Sequence, residues 1–120
     1  MAVTNNLRSV NNYAVHYYVT SSTATSWAIG TAGWNQTYIN NSTPTAITIT
    51  IPAYDAIGDD KEIRVCFKAG TNCTFTPTIN SGFTTQYGIS DISITAGNTY
   101  EISFVPITST TIGVICKEWS

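Results

Sequence analysis

The choice of apolar residues is the feature that most restricts how this chain can fold. Leu7 is the only leucine and Met1 the only methionine among 120 residues, whereas isoleucine and threonine recur throughout. β-Branched side chains lose rotamer freedom in a helix but pack well on a pleated sheet. We therefore expect an all-β protein. Its length is that of one domain, which we place at residues 1–120.

Three segments show the alternation of half-buried strands, with apolar and polar residues taking turns over residues 45–51, 61–68 and 98–105. With shorter apolar runs between turn residues, they predict about seven to nine short strands. That number is typical of an antiparallel β-sandwich or jelly roll. No repeat of fixed period is visible, which argues against a solenoid. The predicted core contains the residues on the apolar faces: Ile47, Ile49, Ile51, Ile63, Val65, Phe67, Tyr100, Ile102 and Phe104.

Charge is scarce and unevenly distributed. Residues 9–54 contain no Asp, Glu, Lys or Arg, yet they contain seven aromatic residues. Two interpretations compete: a solvated surface of Thr, Ser and Asn, or a surface covered by another subunit, where charges are depleted and aromatics enriched. We favour the second, because the aromatic residues fall in this stretch, and because residues 13–19 are predicted to form a strand that is apolar on both faces. The predicted homo-oligomer interface includes Tyr13, Val15, Tyr17, Tyr18, Trp27 and Trp34, and residues 1–12 are predicted to form an extended N-terminal arm for attachment or oligomer contacts.

The composition argues against several partners. Five scattered Lys and Arg cannot form the basic surface that a nucleic acid needs. No apolar run approaches the ~20 residues of a membrane span, so we expect no membrane contact. The first residues lack the basic-then-apolar order of a signal peptide, and we expect synthesis in a cytoplasm. The three cysteines are an odd number at no metal-ligand spacing, which favours free thiols: Cys66, Cys73 and Cys116.

Groups that could carry chemistry are few. His16 has no second histidine and no nearby carboxylate, so a structural role is favoured over a base or metal ligand. Asp55, Asp59 and Asp60 are the only plausible cation site, but they lack the regular alternation of a calcium loop and are interpreted as a solvated turn. We therefore expect a protein that is not an enzyme and has no catalytic residues, cofactor or metal.

The second half of the chain resembles a known type of domain. The segments "IPAYDAIGDDKEIRVCFKAG", "TFTPTI", "ISITAGNTYEISFVP" and "IGVICKEW" follow one another in that order. A proline-led acidic loop before a strand closing in F-x-A-G, then a G-x-T-Y-E-I-S strand and a terminal strand ending in tryptophan, is similar to the compact β-domain of many tailed-bacteriophage virion proteins. The resemblance covers about residues 51–119.

This resemblance implies a virion-surface structural protein, made in the host bacterial cytoplasm, such as a capsid decoration, head-fibre or tail-appendage subunit. Domains of this kind are commonly homotrimers attached to a capsid or tail protein through an N-terminal segment. The chain departs from the fibre proteins because it has no long shaft and no recognisable receptor-binding tip, which favours a structural role over adhesion.

The alternative function is a lectin-like module that binds a host-surface glycan. Exposed aromatic side chains on a β-sandwich offer flat platforms for sugar rings, and Asn and Thr supply hydrogen bonds. The same residues serve equally well as core or subunit contacts. The candidate platform residues are Trp27, Trp34, Tyr54, Tyr87 and Trp119.

Overall fold

A computed structural model describes residues 16–21, 27–30, 34–54, 61–88 and 91–120. These residues form eleven strands and no helix, so the predicted all-β class is confirmed. In chain order the strands are β1 (His16–Thr20), β2 (Trp27–Gly30), β3 (Gln36–Asn40), β4 (Ile47–Ile51), β5 (Ile63–Lys68), β6 (Cys73–Phe75), β7 (Thr78–Ile79), β8 (Thr85–Tyr87), β9 (Ile92–Ile94), β10 (Thr99–Thr108) and β11 (Thr111–Trp119).

The largest sheet has six strands in the order β1-β3-β5-β10-β11-β8. The long strand β10 lies near its centre and pairs antiparallel with β5 on one side and with β11 on the other. β10 and β11 are consecutive, and a tight turn at residues 109–110 joins them as a hairpin. The three longest strands of this sheet, β5, β10 and β11, contain the strand motifs on which the sequence resemblance rests.

Two smaller sheets complete the described structure. β2, β4 and β7 form a three-stranded parallel sheet, and β6 and β9 form an antiparallel pair. From β1 to β5 the chain passes alternately between the six-stranded and the three-stranded sheet. Neighbours in each sheet are therefore two strands apart along the chain, and they run parallel.

Strand direction and number differ from the expectation. Among the described strands, five of the eight paired ladders are parallel, where antiparallel pairing was predicted. Alternation with a period of two reports which face of a strand is buried, and it carries no information on the direction of the neighbour. The extra strands are short, since β6 to β9 have two or three residues each. Assignment to a sandwich or a jelly roll stays a prediction.

All nine predicted core residues are buried, which confirms that part of the prediction. They are joined by Ile29, Phe83 and Ile112 and by the indole of Trp27. The Trp27 ring, from the three-stranded sheet, meets Phe67 of β5 edge-on at 5.9 Å between ring centroids. Side chains of the two larger sheets thus belong to one hydrophobic cluster.

The F-x-A-G sequence at the end of β5 has a steric explanation. The Gly70 N–H donates to the Pro44 carbonyl at 2.9 Å. A Cβ added to Gly70 would lie 2.4 Å from the Thr43 carbonyl oxygen, closer than any real contact of that kind. Glycine therefore lets the chain leaving β5 pack directly against the backbone that leads into β4.

Candidate functional site

An exposed apolar groove lies beside β8 on the outer face of the six-stranded sheet. It has a volume of about 350 Å³ and is lined by the residues that we call the groove patch: Tyr87, Gly88, Val105, Ile107, Gly113, Val114 and Ile115. The side chains of Tyr87, Ile107 and Ile115 are 61%, 62% and 55% exposed. Contiguous apolar surface of this kind is typical of binding and association sites.

The strand register explains why these apolar residues face outward. Gly113 of β11 lies between Val105 of β10 and Tyr87 of β8. Because glycine has no side chain, the backbone at Gly113 forms the floor of the groove. Ile102 and Ile112 point into the core, and Val105 and Ile115 have the opposite parity on the same strands. The sequence analysis missed the groove. Apolar residues in the opposite phase to the core residues of both strands were the signal that could have revealed it.

A second exposed apolar surface lies at the opposite edge of the same sheet. Tyr17, Tyr18 and Val19 of β1 are 64%, 46% and 59% exposed, and we call them the β1 patch. The Tyr18 ring stacks on Tyr38 of β3 at 4.8 Å. Burial, with a further contribution from Tyr18, raises the pKa of Tyr38, whose hydroxyl donates to Gln36.

The predicted interface residues are therefore divided. Tyr17 and Tyr18 are both exposed on the β1 edge, on opposite faces of the sheet. Tyr13 and Val15 lie outside the described residues. Trp27 is only 8% exposed and offers no surface to a subunit or a sugar ring. Trp34 is half-buried and packs edge-on against Phe83 at 6.0 Å between ring centroids.

The described aromatics do not form a single sugar platform. Besides packing on Phe83, the Trp34 indole N–H donates to the Ala53 carbonyl at 2.9 Å. The Lys61 ammonium lies 5.5 Å from the centroid of the Tyr54 ring. Tyr87 is level with Gly113, and Trp119 lies six residues further along β11, about 20 Å away at ~3.3 Å per residue. A single sugar ring cannot contact both Tyr87 and Trp119.

A polar cluster occupies the middle of the outer face. The Arg64 guanidinium contacts the Glu101 carboxylate at 2.9 Å, and Cys66 is the direct cross-strand neighbour of Glu101. Burial raises the pKa of the Cys66 thiol; Arg64 opposes this shift, and Glu101 and Glu62 add to it. The thiol therefore stays protonated near neutral pH, and a protonated thiol is a poor nucleophile.

The other thiols have the same character. Burial raises the pKa of Cys73, and burial followed by the Glu118 charge raises the pKa of Cys116. Cys66, Cys73 and Cys116 are all free in this structure. These environments favour inert thiols over catalytic ones.

The described residues contain neither a cluster of metal ligands nor a membrane-spanning helix. Among the described residues there is no group of three or more His, Cys, Asp or Glu placed to hold a metal ion. Three of the predictions fall outside the described residues: the acidic turn predicted at Asp55, Asp59 and Asp60, the N-terminal arm predicted at residues 1–12, and the role of the His16 side chain. The described part of the chain contains no helix that is long and apolar enough to cross a membrane.

Comparison with known proteins gives no relative. No protein-family model matches the sequence, and neither a search of curated proteins nor a search of solved structures finds a match. The groove patch and the β1 patch are the two large exposed apolar surfaces of the six-stranded sheet.

Proposed function

We propose that this chain is a non-enzymatic structural subunit on the surface of a tailed-bacteriophage particle, where it acts as a homo-oligomer. The observation that supports self-association is the pair of exposed apolar patches at the two edges of one sheet. Six large apolar side chains, three of them tyrosines, are each close to half exposed or more. Subunit interfaces are enriched in such aromatics, and solvent exposure of contiguous apolar area is unfavourable.

The virion part of the proposal rests on the sequence resemblance. Its three strand motifs correspond to β5, β10 and β11, which are adjacent in the six-stranded sheet. The motifs thus describe one structural unit and not three separate pieces. The resemblance also supplies the trimeric state, the capsid or tail protein as docking partner, and the virion surface as the location after synthesis in the host bacterial cytoplasm.

The glycan-binding alternative has weaker support. Of its candidate residues, Trp27 is buried in the core and cannot contact a sugar. Tyr87 and Trp119 are exposed but too far apart to bind the same sugar ring. A glycan array would test it directly. Binding that Trp119→Ala abolishes, by a chain that does not self-associate, would favour the lectin-like module over the structural subunit.

Mass spectrometry of purified particles tests the virion proposal. If the chain is a surface subunit, particles produced from the genome that encodes it contain it in a fixed ratio to the capsid protein. Its absence from purified particles would overturn the virion proposal, whatever its behaviour in solution.

Light scattering tests the oligomer proposal independently. At tens of micromolar the isolated chain should form an oligomer, and the expected mass is that of three chains. A monomer under these conditions would overturn self-association.

A further inference from the structure

The six-stranded sheet ends in two edges that no described strand covers. β1 pairs with β3 on one side and with no described strand on the other. β11 pairs with β10 along its whole length, but on its other side β8 covers only Thr111, Ile112 and Gly113. Residues 115–119 therefore have no strand partner on that side among the described residues.

The position of Gly88 explains why β8 stops where it does. Gly88 follows β8 directly and has a φ of 74°, which favours glycine. A Cβ there would lie 2.3 Å from the Val114 carbonyl oxygen. Pairing of β8 with β11 therefore ends at Gly113, and among the described residues no strand pairs with this side of β11 beyond it. An open edge presents backbone donors and acceptors and is a template for another strand.

We infer that a second copy of this chain adds its β1 to the open edge of β11, alongside residues 115–119. The inference rests on the proposed self-association and specifies its surfaces. β11 runs antiparallel to β10, which runs antiparallel to β5, and β5, β3 and β1 are mutually parallel. β1 and β11 therefore point the same way, and a sheet continued into the next copy pairs them in parallel. Each of the two edges offers five residues.

The faces of the two strands match as well. Tyr17 and Val19 are in register with Thr37 and Ile39, which are in register with the outward-facing Arg64 and Cys66 of β5. Both side chains thus lie on the same face of the sheet as Ile115. Strand addition therefore places Tyr17 and Val19 of one copy beside Ile115 of the next on the outer face of the continued sheet, whereas Tyr18 lies on the opposite face.

The exposed area is of the size that such a contact needs. At ~200 Å² for a tyrosine, Tyr17, Tyr18 and Tyr87 together expose roughly 340 Å². The smallest standard interfaces bury ~1,200 Å², of which somewhat more than half, ~700 Å², is apolar. The tyrosines supply about half of that amount, and the remaining exposed aliphatic residues add to it: Val19, Ile107 and Ile115.

Charge does not oppose this pairing. β1 contains no Asp, Glu, Lys or Arg and so places no like charge against the edge. The Glu118 carboxylate is engaged within its own copy, where it accepts hydrogen bonds from Tyr100 at 2.6 Å and from Asn98 at 2.8 Å. Lys117 lies directly across from Glu101 on β10.

The contact joins two different surfaces, so an open assembly keeps one free β1 edge at one end and one free β11 edge at the other until a ring closes. Such head-to-tail contacts give closed rings when the rotation between copies divides a full turn, and filaments otherwise. The proposed trimer corresponds to a rotation of about 120°.

Two single substitutions test this arrangement. Tyr17→Lys places a charge on the β1 edge and Ile115→Lys places one on the β11 edge. Each should weaken self-association at least tenfold, because a lysine would be desolvated without a partner. When the two variants are mixed, the intact β1 of one can still add to the intact β11 of the other. A 1:1 dimer of twice the chain mass should then form, because the second contact would set lysine against lysine.

Control variants separate the possible outcomes. Thr48→Lys changes an exposed residue of β4, which belongs to neither the β1 edge nor the β11 edge. It should leave the mass of the oligomer unchanged. Val19→Lys tests the β1 edge again if Tyr17→Lys fails to fold, as judged by circular dichroism. Native association that persists in both lysine variants, or a mixture without dimer, overturns the strand-addition inference and leaves the proposed self-association standing. A monomeric native chain overturns both.

Discussion

Replacing Tyr100 by phenylalanine removes one oxygen atom where the core meets the end of β11. The Tyr100 hydroxyl donates to Glu118 Oε2 at 2.6 Å and accepts from the Thr95 N–H at 2.7 Å. The ring is 1% exposed and stacks on Phe67 at 5.5 Å between centroids. Because phenylalanine keeps this ring, Tyr100→Phe tests the two hydrogen bonds separately from the packing.

The expected magnitude follows from the Thr95 contact. A hydrogen bond in a folded protein contributes about 0.5–1.5 kcal/mol, and losing a partner costs more when the group left behind is buried. Thr95 is exposed, so water can replace part of the lost interaction. We therefore expect Tyr100→Phe to lower the free energy of unfolding by about 1 kcal/mol at neutral pH.

The loss should also depend on pH. The hydrogen bond from Tyr100, followed by that from Asn98, lowers the pKa of Glu118. A carboxylate with a lowered folded pKa stabilises the fold above its unfolded pKa of about 4.3, and this contribution disappears as the pH falls through the folded pKa. Without the Tyr100 hydroxyl, stability depends less on Glu118 ionisation. The difference between the native chain and the variant should therefore shrink in acid.

Urea denaturation at several pH values measures both effects. Tyr87→Phe is the matched control, because it removes the same hydroxyl from an exposed ring and exposed substitutions change stability by about 0.5 kcal/mol or less. If Tyr100→Phe and Tyr87→Phe destabilise equally at pH 7, the hydroxyl contacts do not stabilise the fold. A difference that stays constant into acid would refute the role assigned to Glu118.

Three further predictions concern the scaffold. Gly70→Ala should destabilise by about 1–3 kcal/mol in thermal melts, because the added Cβ would lie 2.4 Å from the Thr43 carbonyl oxygen. Gly82→Ala, which approaches only the Asn80 side chain, is its control, and an equal loss would contradict the steric argument. Ile102→Ala should lower the free energy of unfolding by about 2–5 kcal/mol in urea, since the removed side chain is fully buried; a loss below ~1 kcal/mol would show that the strand centre is not tightly packed. Thiol titration of the denatured, non-reduced chain should find three free thiols, those of Cys66, Cys73 and Cys116. A single free thiol would indicate that the other two cysteines form a disulfide.

Alternation along the chain is enough to identify which faces of the main strands are buried. Ile47, Ile49 and Ile51 alternate with threonine, and in the structure they alternate between buried and exposed positions. A strand places successive side chains on opposite faces, so a period of two specifies the inward residues wherever only one face is covered. The β-branched composition excluded helices for an equally local reason, because each residue contributes its own conformational preference.

Which strands are neighbours, and in which direction they run, depends on contacts that form only in the folded protein. The stretch between β1 and β4 is rich in Ser, Thr and Asn, yet it supplies β2 and β3. Trp27 of β2 enters the core, where it packs against Phe67 of the distant strand β5. Val105 and Ile115 are as apolar as core residues, but they form an exposed groove because no described strand covers that face of the sheet. Pairing and coverage depend on contacts between residues far apart in the chain, and alternation within a single strand does not encode them.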